Sequence, residues 1–353
     1  MSYEVTIEPL GEVITVEEDQ TILDAALRAG VYLPHACGHG LCATCKVDVL
    51  EGEVDQGDAS PFALMDMERD EGKCLACCAS PISDLVIEAD LEEDEDAEGH
   101  PVLDYTGTVT RIDTLTPRIK AIFLAIEGSG IAFQAGQYVN LEVPGVERPR
   151  AFSIASPPSE RKLVELNVCL VENGQATTWL HNTLKKGDRL RFTGPYGRFF
   201  VRKSRSEPML FLAGGSGLSS PKSMILDLFE SAETRDVTLI YGARNERELY
   251  YRELFEELDH EHDNFHYIPV LSEEPLQSGW RGERGFVHEA ARRIYDGRFS
   301  GIQAYLCGPP PMVDACVTTL MQGRLFERDI YTENFFNQSS GEARSRSPLF
   351  KAI

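Results

Sequence analysis

Six of the chain's nine cysteines lie between positions 37 and 78, and no other feature restricts the fold so narrowly. Cys37, Cys42 and Cys45 form C-x4-C-x2-C, with Cys74, Cys77 and Cys78 following further on. The N-terminal segment is acidic and alternating, without the basic and apolar regions of a secretory leader, so the expected compartment is the cytoplasm. Thiols stay reduced there, and clustered cysteines point to metal or catalysis rather than to disulfides. The spacing is that of a plant-type [2Fe-2S] site. Two irons bridged by two sulfides need four thiolates; a tight loop supplies three of them, and Cys74, Cys77 or Cys78 supplies the fourth. Gly38 and Gly40, inside the loop, permit positive φ and let backbone amides point at sulfur. Structural zinc usually takes two C-x2-C knuckles, and only one is present. A Rieske centre uses two cysteines and two histidines, so with four thiols at hand His35 and His39 are expected to be loop residues.

At 353 residues the chain exceeds the roughly 250–300 at which single cores stop growing, so several domains are expected. No apolar run approaches the ~18 residues of a membrane helix, and no membrane association is expected. The net charge of -23 is unevenly spread: residues 1–100 hold 25 Asp and Glu against 4 Lys and Arg. Such a block disfavours nucleic acid, whose phosphates are bound by basic side chains, and suits a basic protein partner or a solvated acidic face. Its last part, 91–99, is a run of like charge before Gly and Pro and reads as a linker.

The rest of the sequence gives the order of elements. Alternation at Val5 and Ile7, then Val13–Val16, a helix Ile22–Ala29 capped by Thr21, and a late strand Leu85–Ile87 surround the cysteines. Strands are expected at Thr106–Ile112, Ile119–Ile126, Gln137–Val143, Arg150–Ala155, Leu163–Val171 and Leu190–Thr193. With one helix near Ala176–Leu184 they suggest a small antiparallel barrel. Beyond it, apolar strands Met209–Ala213, Val237–Tyr241, Phe265–Val270 and Ala304–Cys307 alternate with helices Lys222–Glu230, Glu246–Leu258, Val287–Tyr295 and Met312–Gln322, the pattern of a parallel α/β sheet. Two motifs stand in these segments. Arg150-Ala-Phe-Ser153 with Gly174-Gln-Ala-Thr177-Thr178 combines a guanidinium, a flat ring, a hydroxyl and a helix N-terminus, which together suit a flavin dinucleotide. Gly214-Gly-Ser-Gly217-Leu-Ser-Ser220 is a strand-to-helix turn fit for a nucleotide, although Ser220 stands where the dinucleotide fingerprint expects Gly or Ala. Singly, each also fits an ordinary edge strand or tight turn.

Taken in order, cluster loop, barrel and nucleotide sheet resemble the ferredoxin-NADP reductase-type flavoproteins with an N-terminal ferredoxin, the reductase components of multicomponent bacterial oxygenases, and among these the phenol hydroxylase reductases. The resemblance runs through Ala135-Gly-Gln-Tyr-Val139, Gly194-Pro-Tyr-Gly197, Ala213-Gly-Gly-Ser-Gly-Leu-Ser-Ser-Pro221, Tyr241-Gly-Ala-Arg244 and Leu306-Cys-Gly-Pro-Pro-Pro-Met312. It implies a β-grasp ferredoxin at 1–92, an acidic linker at 93–102, a six-stranded antiparallel FAD-binding barrel at 103–204, a parallel-sheet NAD-binding domain at 205–337 and a polar tail at 338–353.

The resemblance also implies roles. The fourth cluster ligand is Cys77, after a Leu-x pair, leaving Cys74 and Cys78 spare. Arg150 holds FAD phosphates, Phe152 lies against the flavin, and Ser153 hydrogen-bonds near its N5. Gly174, Thr177 and Thr178 sit at the pyrophosphate. Gly215 and Gly217 admit the NADH diphosphate, while Cys307 and Gly308 approach the nicotinamide; Ser153 and Cys307 are the catalytic pair. Relatives often have Tyr at Phe152 and a basic residue near Cys169, contacts missing here. Aromatics in 332–336 could cover the flavin. The implied activity is NADH oxidation, with electrons moving through FAD and the cluster to a diiron hydroxylase docked on the acidic domain. A dioxygenase or deoxysugar-dehydratase reductase, or a redox-sensing regulator, would share these motifs.

Overall fold

The computed structural model describes residues 1–91 and 94–334, so the start of the expected linker, the Phe335–Phe336 cover and the 338–353 tail lie outside the described residues. The chain divides into two compact units, Met1–Leu103 and a second from Asp104 onward.

The first unit is a five-stranded mixed sheet packed on a helix, with a short second helix and a two-stranded ribbon beside it. Its elements are β1 (Ser2–Glu8), β2 (Glu12–Glu17), α1 (Ile22–Arg28), β3 (Lys46–Glu51), β4 (Val54–Asp55), α2 (Asp66–Asp70), β5 (Lys73–Leu75), β6 (Ser80–Pro81) and β7 (Leu85–Glu88). Strand order β2-β1-β7-β3-β5 places β1 parallel to β7 at the centre, with antiparallel neighbours, the β-grasp arrangement. The alternation explains the layering: Val5, Ile7, Ile14 and Val16 all face one core, where they meet Ile22, Leu23 and Ala26 of α1. Thr21 caps that helix, its Oγ1 accepting from Asp24 N at 3.2 Å.

The second unit opens with the barrel: β8 (Leu103–Thr114), β9 (Ile119–Ile126), β10 (Tyr138–Leu141), β11 (Arg150–Ser153), β12 (Leu163–Cys169), α3 (Gln175–Asn182) and β13 (Arg189–Tyr196). The order β11-β10-β13-β8-β9-β12 leaves β11 and β12 at opposite ends, and a bridge between Ile154 and Leu166 joins them, so the antiparallel barrel is nearly closed. The parallel sheet follows: β14 (Met209–Gly214), α4 (Ser219–Glu230), β15 (Val237–Ala243), α5 (Arg252–Glu261), β16 (Phe265–Leu271), β17 (Glu283–Arg284), α6 (Val287–Ile294), β18 (Gln303–Gly308), α7 (Pro310–Gln322) and β19 (Ile330–Asn334), in order β17-β16-β15-β14-β18-β19. Every residue of β14 and β18 is buried, as expected of strands covered on both faces.

Three expectations need correction. The helix expected over Glu246–Leu258 is broken: Glu246–Glu248 make one 3-10 turn, Asn245 capping it by accepting from Arg247 N at 3.2 Å. Tyr251 then takes φ 55°, and α5 starts only at Arg252. The helices expected from Lys222 and Met312 begin earlier, at Ser219 and Pro310, because serines and a first-turn proline suit helix N-termini. The short strands β4, β6 and β17, and the edge strand β19, are too brief or too polar to show in the alternation.

Candidate functional site

The thiol loop runs between α1 and β3. Gly38 (φ 69°), Gly40 (φ 78°) and Ala43 (φ 61°) are left-handed there, which turns successive amides inward. His39 N and Leu41 N donate to Cys37 Sγ at 3.5 and 3.3 Å, Cys37 N to Cys42 Sγ at 3.4 Å, and Gly40 N to Cys77 Sγ at 3.3 Å. The Cys42 thiol is shifted by Cys37, and the Cys77 thiol by Cys37 and Cys45, so these four thiols converge. The bond to Cys37 and then burial push the Cys42 thiol up to about 12. Four thiols under inward-facing amides fit an iron–sulfur cluster, since the amides stabilise charge on sulfur. The other candidates lie differently. Cys74 is fully buried on β5, paired with Val47, and burial pushes it up to about 12. Cys78 is only partly buried, its Sγ 3.7 Å from Cys77 Sγ. His35 engages Leu33 O through Nδ1 at 2.8 Å.

In the second unit β11 pairs with β10, Phe152 opposite Val139 and Ser153 opposite Tyr138. Phe152 is half-buried against the barrel core. The Arg150 guanidinium donates to Arg148 O and Pro149 O at 2.7 and 3.2 Å, holding it beside its own strand. Gly174 caps α3, and an open cavity of about 610 Å³ lies at that helix start, lined by Gly145, Val146, Gly174, Thr178, Trp179 and Asn182. Thr178 faces this cavity. Thr177 does not line it: its hydroxyl accepts from Val171 N at 3.1 Å and so fixes the preceding loop.

The barrel and the parallel sheet meet at a carboxylate that the sequence reading passed over. Glu333 Oε2 accepts from Ser220 Oγ at 2.5 Å, Ser153 Oγ at 3.1 Å and Cys307 Sγ at 3.4 Å. These donors come from α4, β11 and β18, so Ser153 and Cys307 are brought together through a third residue. Burial pushes the Glu333 carboxyl above its ordinary value, and the three donors oppose that rise only in part. Cys307 is fully buried and its thiol is likewise held well up, first by burial and then by Glu333.

Beside this cluster lies the glycine-rich turn, a 3-10 turn over Gly215–Leu218. A Cβ on Gly217 would sit 2.3 Å from Cys307 O, so only glycine lets the turn approach β18 this closely. Tyr241 and Tyr250 both donate to Gly215 O, at 3.3 and 3.2 Å. Glu165, Asn167 and Cys169 lie on one face of β12 by its two-residue period. The Ser216 side chain lowers the Cys169 thiol in part against its burial, and buried Asn167 has no partner for either amide atom among the described residues. A buried donor and acceptor left open at this seam fit the polar edge of a bound dinucleotide ring. Just before β9, Arg118 donates to Leu170 O at 3.1 Å, and its charge offsets part of the burial that raises the Cys169 thiol.

Three family models match the chain: a 2Fe-2S iron-sulfur cluster binding domain over 5–81, an oxidoreductase FAD-binding domain over 108–201 and an oxidoreductase NAD-binding domain over 211–318. The chain is 61% identical to the reductase component of phenol 2-monooxygenase from Pseudomonas sp. strain CF600 and 58% identical to the phenol hydroxylase P5 protein of Acinetobacter pittii, each over 100% of both chains. Among solved structures it is similar to the cytochrome P450 reductase of Amycolatopsis, with TM-score 0.84 and 35% identity over 94% of this chain and 98% of that one.

Proposed function

The chain belongs to the reductase-component family of multicomponent monooxygenases, and from that premise we propose that its electrons go to the diiron hydroxylase of a phenol-type monooxygenase. It is an NADH-dependent flavin iron–sulfur oxidoreductase that passes electrons from NADH through FAD and a [2Fe-2S] cluster to an oxygenase. Bound FAD would supply the conversion between one hydride, which carries two electrons, and the single electrons that a one-electron cluster can accept. The observation that carries the reading is the meeting of Ser153 and Cys307 on Glu333, because it joins a flavin-binding strand to a nucleotide-binding strand.

The proposed roles of the chain's own residues follow from this geometry. Cys37, Cys42, Cys45 and Cys77 hold the cluster, and the amides of residues 37 and 39–41 stabilise its charge. Phe152 supports the flavin ring, and Ser153 presents its hydroxyl at the reacting edge. Gly174 and Thr178 meet the pyrophosphate at the cavity on α3, where Trp179 offers a flat face. Arg150 reaches phosphate by giving up its two backbone contacts. Gly215 and Gly217 admit the second dinucleotide, Cys307 and Gly308 border its nicotinamide, and Glu333 Oε2 accepts from Ser153 and so orients its hydroxyl. The compartment proposed is the cytoplasm; among the described residues no helix is long and apolar enough to cross a membrane.

Docking is assigned to the thiol-loop side of the first unit. Ser60 N donates to Gly40 O at 3.1 Å, which brings the 58–65 segment beside the loop. There Leu41 and Met65 are exposed and Phe62 is 97% exposed, with Asp58 and Asp66 around them. An apolar centre with an acidic border suits a hydroxylase face that is apolar and rimmed by lysine or arginine. Phe62→Ala should lower hydroxylation at limiting reductase about 10-fold while NADH-driven dye reduction stays unchanged. Neutralising Glu51, Glu53 and Asp55, or raising salt, should weaken only the coupled reaction, since exposed charges are screened beyond ~8 Å. Equal salt profiles for both activities would return the acidic block to a solvated face.

NADH should be preferred to NADPH by at least about 100-fold in kcat/KM, because an added phosphate would meet carboxylates at like charge. Arg244 is committed to Glu248 (Nε at 2.9 Å) and Arg252 to Glu246 (2.8 Å), so neither cation stands ready for it. Comparable values for the two nucleotides would refute this.

A further inference from the structure

Behind the glycine-rich turn, α4 carries a lysine with no place in the chemistry above. Lys222 and Glu165 form an ion pair with both side chains only 6% exposed, Lys222 Nζ donating to Glu165 Oε2 at 2.8 Å. The same ammonium donates to Ala155 O at 3.0 Å and lies 4.7 Å from the centre of the Tyr251 ring. The Tyr251 hydroxyl donates to the other carboxylate oxygen, Glu165 Oε1. Both oxygens of the carboxylate are therefore used, and the ammonium has two hydrogen bonds and an aromatic face.

The placement is more telling than the energy. A buried ion pair is often no more stabilising than a well-packed apolar pair of the same volume, so stability alone does not account for it. Lys222 is two residues beyond Ser220, which bonds Glu333, and Ala155 is two residues beyond Ser153. One side chain thus ties the helix that begins at the glycine-rich turn to the strand that carries the flavin-side hydroxyl. Ser223 Oγ adds a parallel tie to Ser156 O at 2.7 Å.

Tyr251 supplies the third leg. Its left-handed backbone, φ 55°, lets two consecutive tyrosines serve different elements: Tyr250 donates to Gly215 O on the turn, and Tyr251 to Glu165 on the barrel. A side chain in that region of φ is uncommon outside glycine, and it is maintained here by the contacts at both ends.

We propose that Lys222, Glu165 and Tyr251 are positioning residues for hydride transfer, a buried clamp that holds the glycine-rich turn, and with it the dinucleotide whose nicotinamide lies at Cys307, at reacting distance from the flavin on the Ser153 strand. The inference rests on the assignment of FAD to the barrel and NADH to the turn. None of the three touches a reacting atom; they act by fixing where two cofactor sites stand, and a misplacement on the order of 1 Å costs about 100-fold in rate.

The test uses the full chain loaded with FAD and cluster. Tyr251→Phe keeps the ring and removes one leg, and the double change Lys222→Met with Glu165→Leu replaces the ion pair by an apolar one. Flavin bleaching at saturating NADH should slow about 10-fold or more in both variants, while the NAD+ dissociation constant by calorimetry moves less than about 2-fold and FAD content is kept. Amide hydrogen exchange at Gly215–Leu218 should quicken, and the apolar pair should keep its Tm within about 4 °C of the parent. Wild-type bleaching rates in both variants would overturn the clamp, as would losses that only track FAD content or Tm. If the unaltered protein binds FAD but NADH fails to bleach it, the underlying functional assignment fails instead.

Discussion

Cys77→Ser should leave a protein with one FAD and no iron, against about two irons per chain in the parent, while NADH still bleaches the flavin. The expected loss is complete because, among the described residues, Cys77 is the only thiol from beyond the loop that accepts a loop amide, Gly40 N at 3.3 Å, and its thiol is shifted by those of Cys37 and Cys45. Cys74→Ser should retain the cluster, because that side chain is spent in the core opposite Val47. Iron analysis and the visible spectrum decide the matter. If Cys78→Ser strips iron while Cys77→Ser does not, the ligand is the neighbouring thiol.

The second large effect is at the carboxylate shared by barrel and sheet. Ser153→Ala should slow flavin reduction about 10-fold or more, the scale on which a lost hydrogen bond of ~1.5 kcal/mol at a reacting centre appears in a rate. It also removes one of three donors that hold the Glu333 carboxyl down, so that group should move further up. Glu333→Gln should slow reduction too, yet it should stabilise the fold. A carboxyl whose folded pKa is raised favours the native state below its unfolded value and loses that contribution as pH rises through the folded one. The Tm advantage of E333Q should therefore grow as pH rises above the ordinary carboxyl range. A Tm difference that is flat with pH would show that the carboxyl is not held up, and an unchanged stopped-flow rate would remove Ser153 from the reaction.

What could be read from the sequence was whatever is local. The thiol loop announces itself because its glycines and cysteines occur within one turn of chain, and the order of alternating and helical periods gives the three layers. Glu333 was hidden because its partners lie at positions 153, 220 and 307, and a lone Glu in a short edge strand resembles surface. Tyr250 and Tyr251 were absorbed into an expected helix, since helical spacing continues through 246–258 and only tertiary contacts reveal the left-handed break. Thr177 and Thr178 both follow Gly174, and only the folded chain shows that the Thr177 hydroxyl accepts from Val171 N while Thr178 faces the cavity. The charge pair Lys222–Glu165 joins residues on different layers, and neither has a neighbour in sequence that hints at the other.

The first unit encloses a hydrophobic core of its own, drawn from Val5 to Ala89, and the barrel and parallel sheet are built on others. Such independence makes the chain evolvable in parts. Substitutions on the acidic surface around Phe62 alter none of the residues that make the cores of the barrel and the parallel sheet. Exchange of whole first units by recombination near position 103 is then a short route to a new partner, one that point mutation within a shared core would rarely permit.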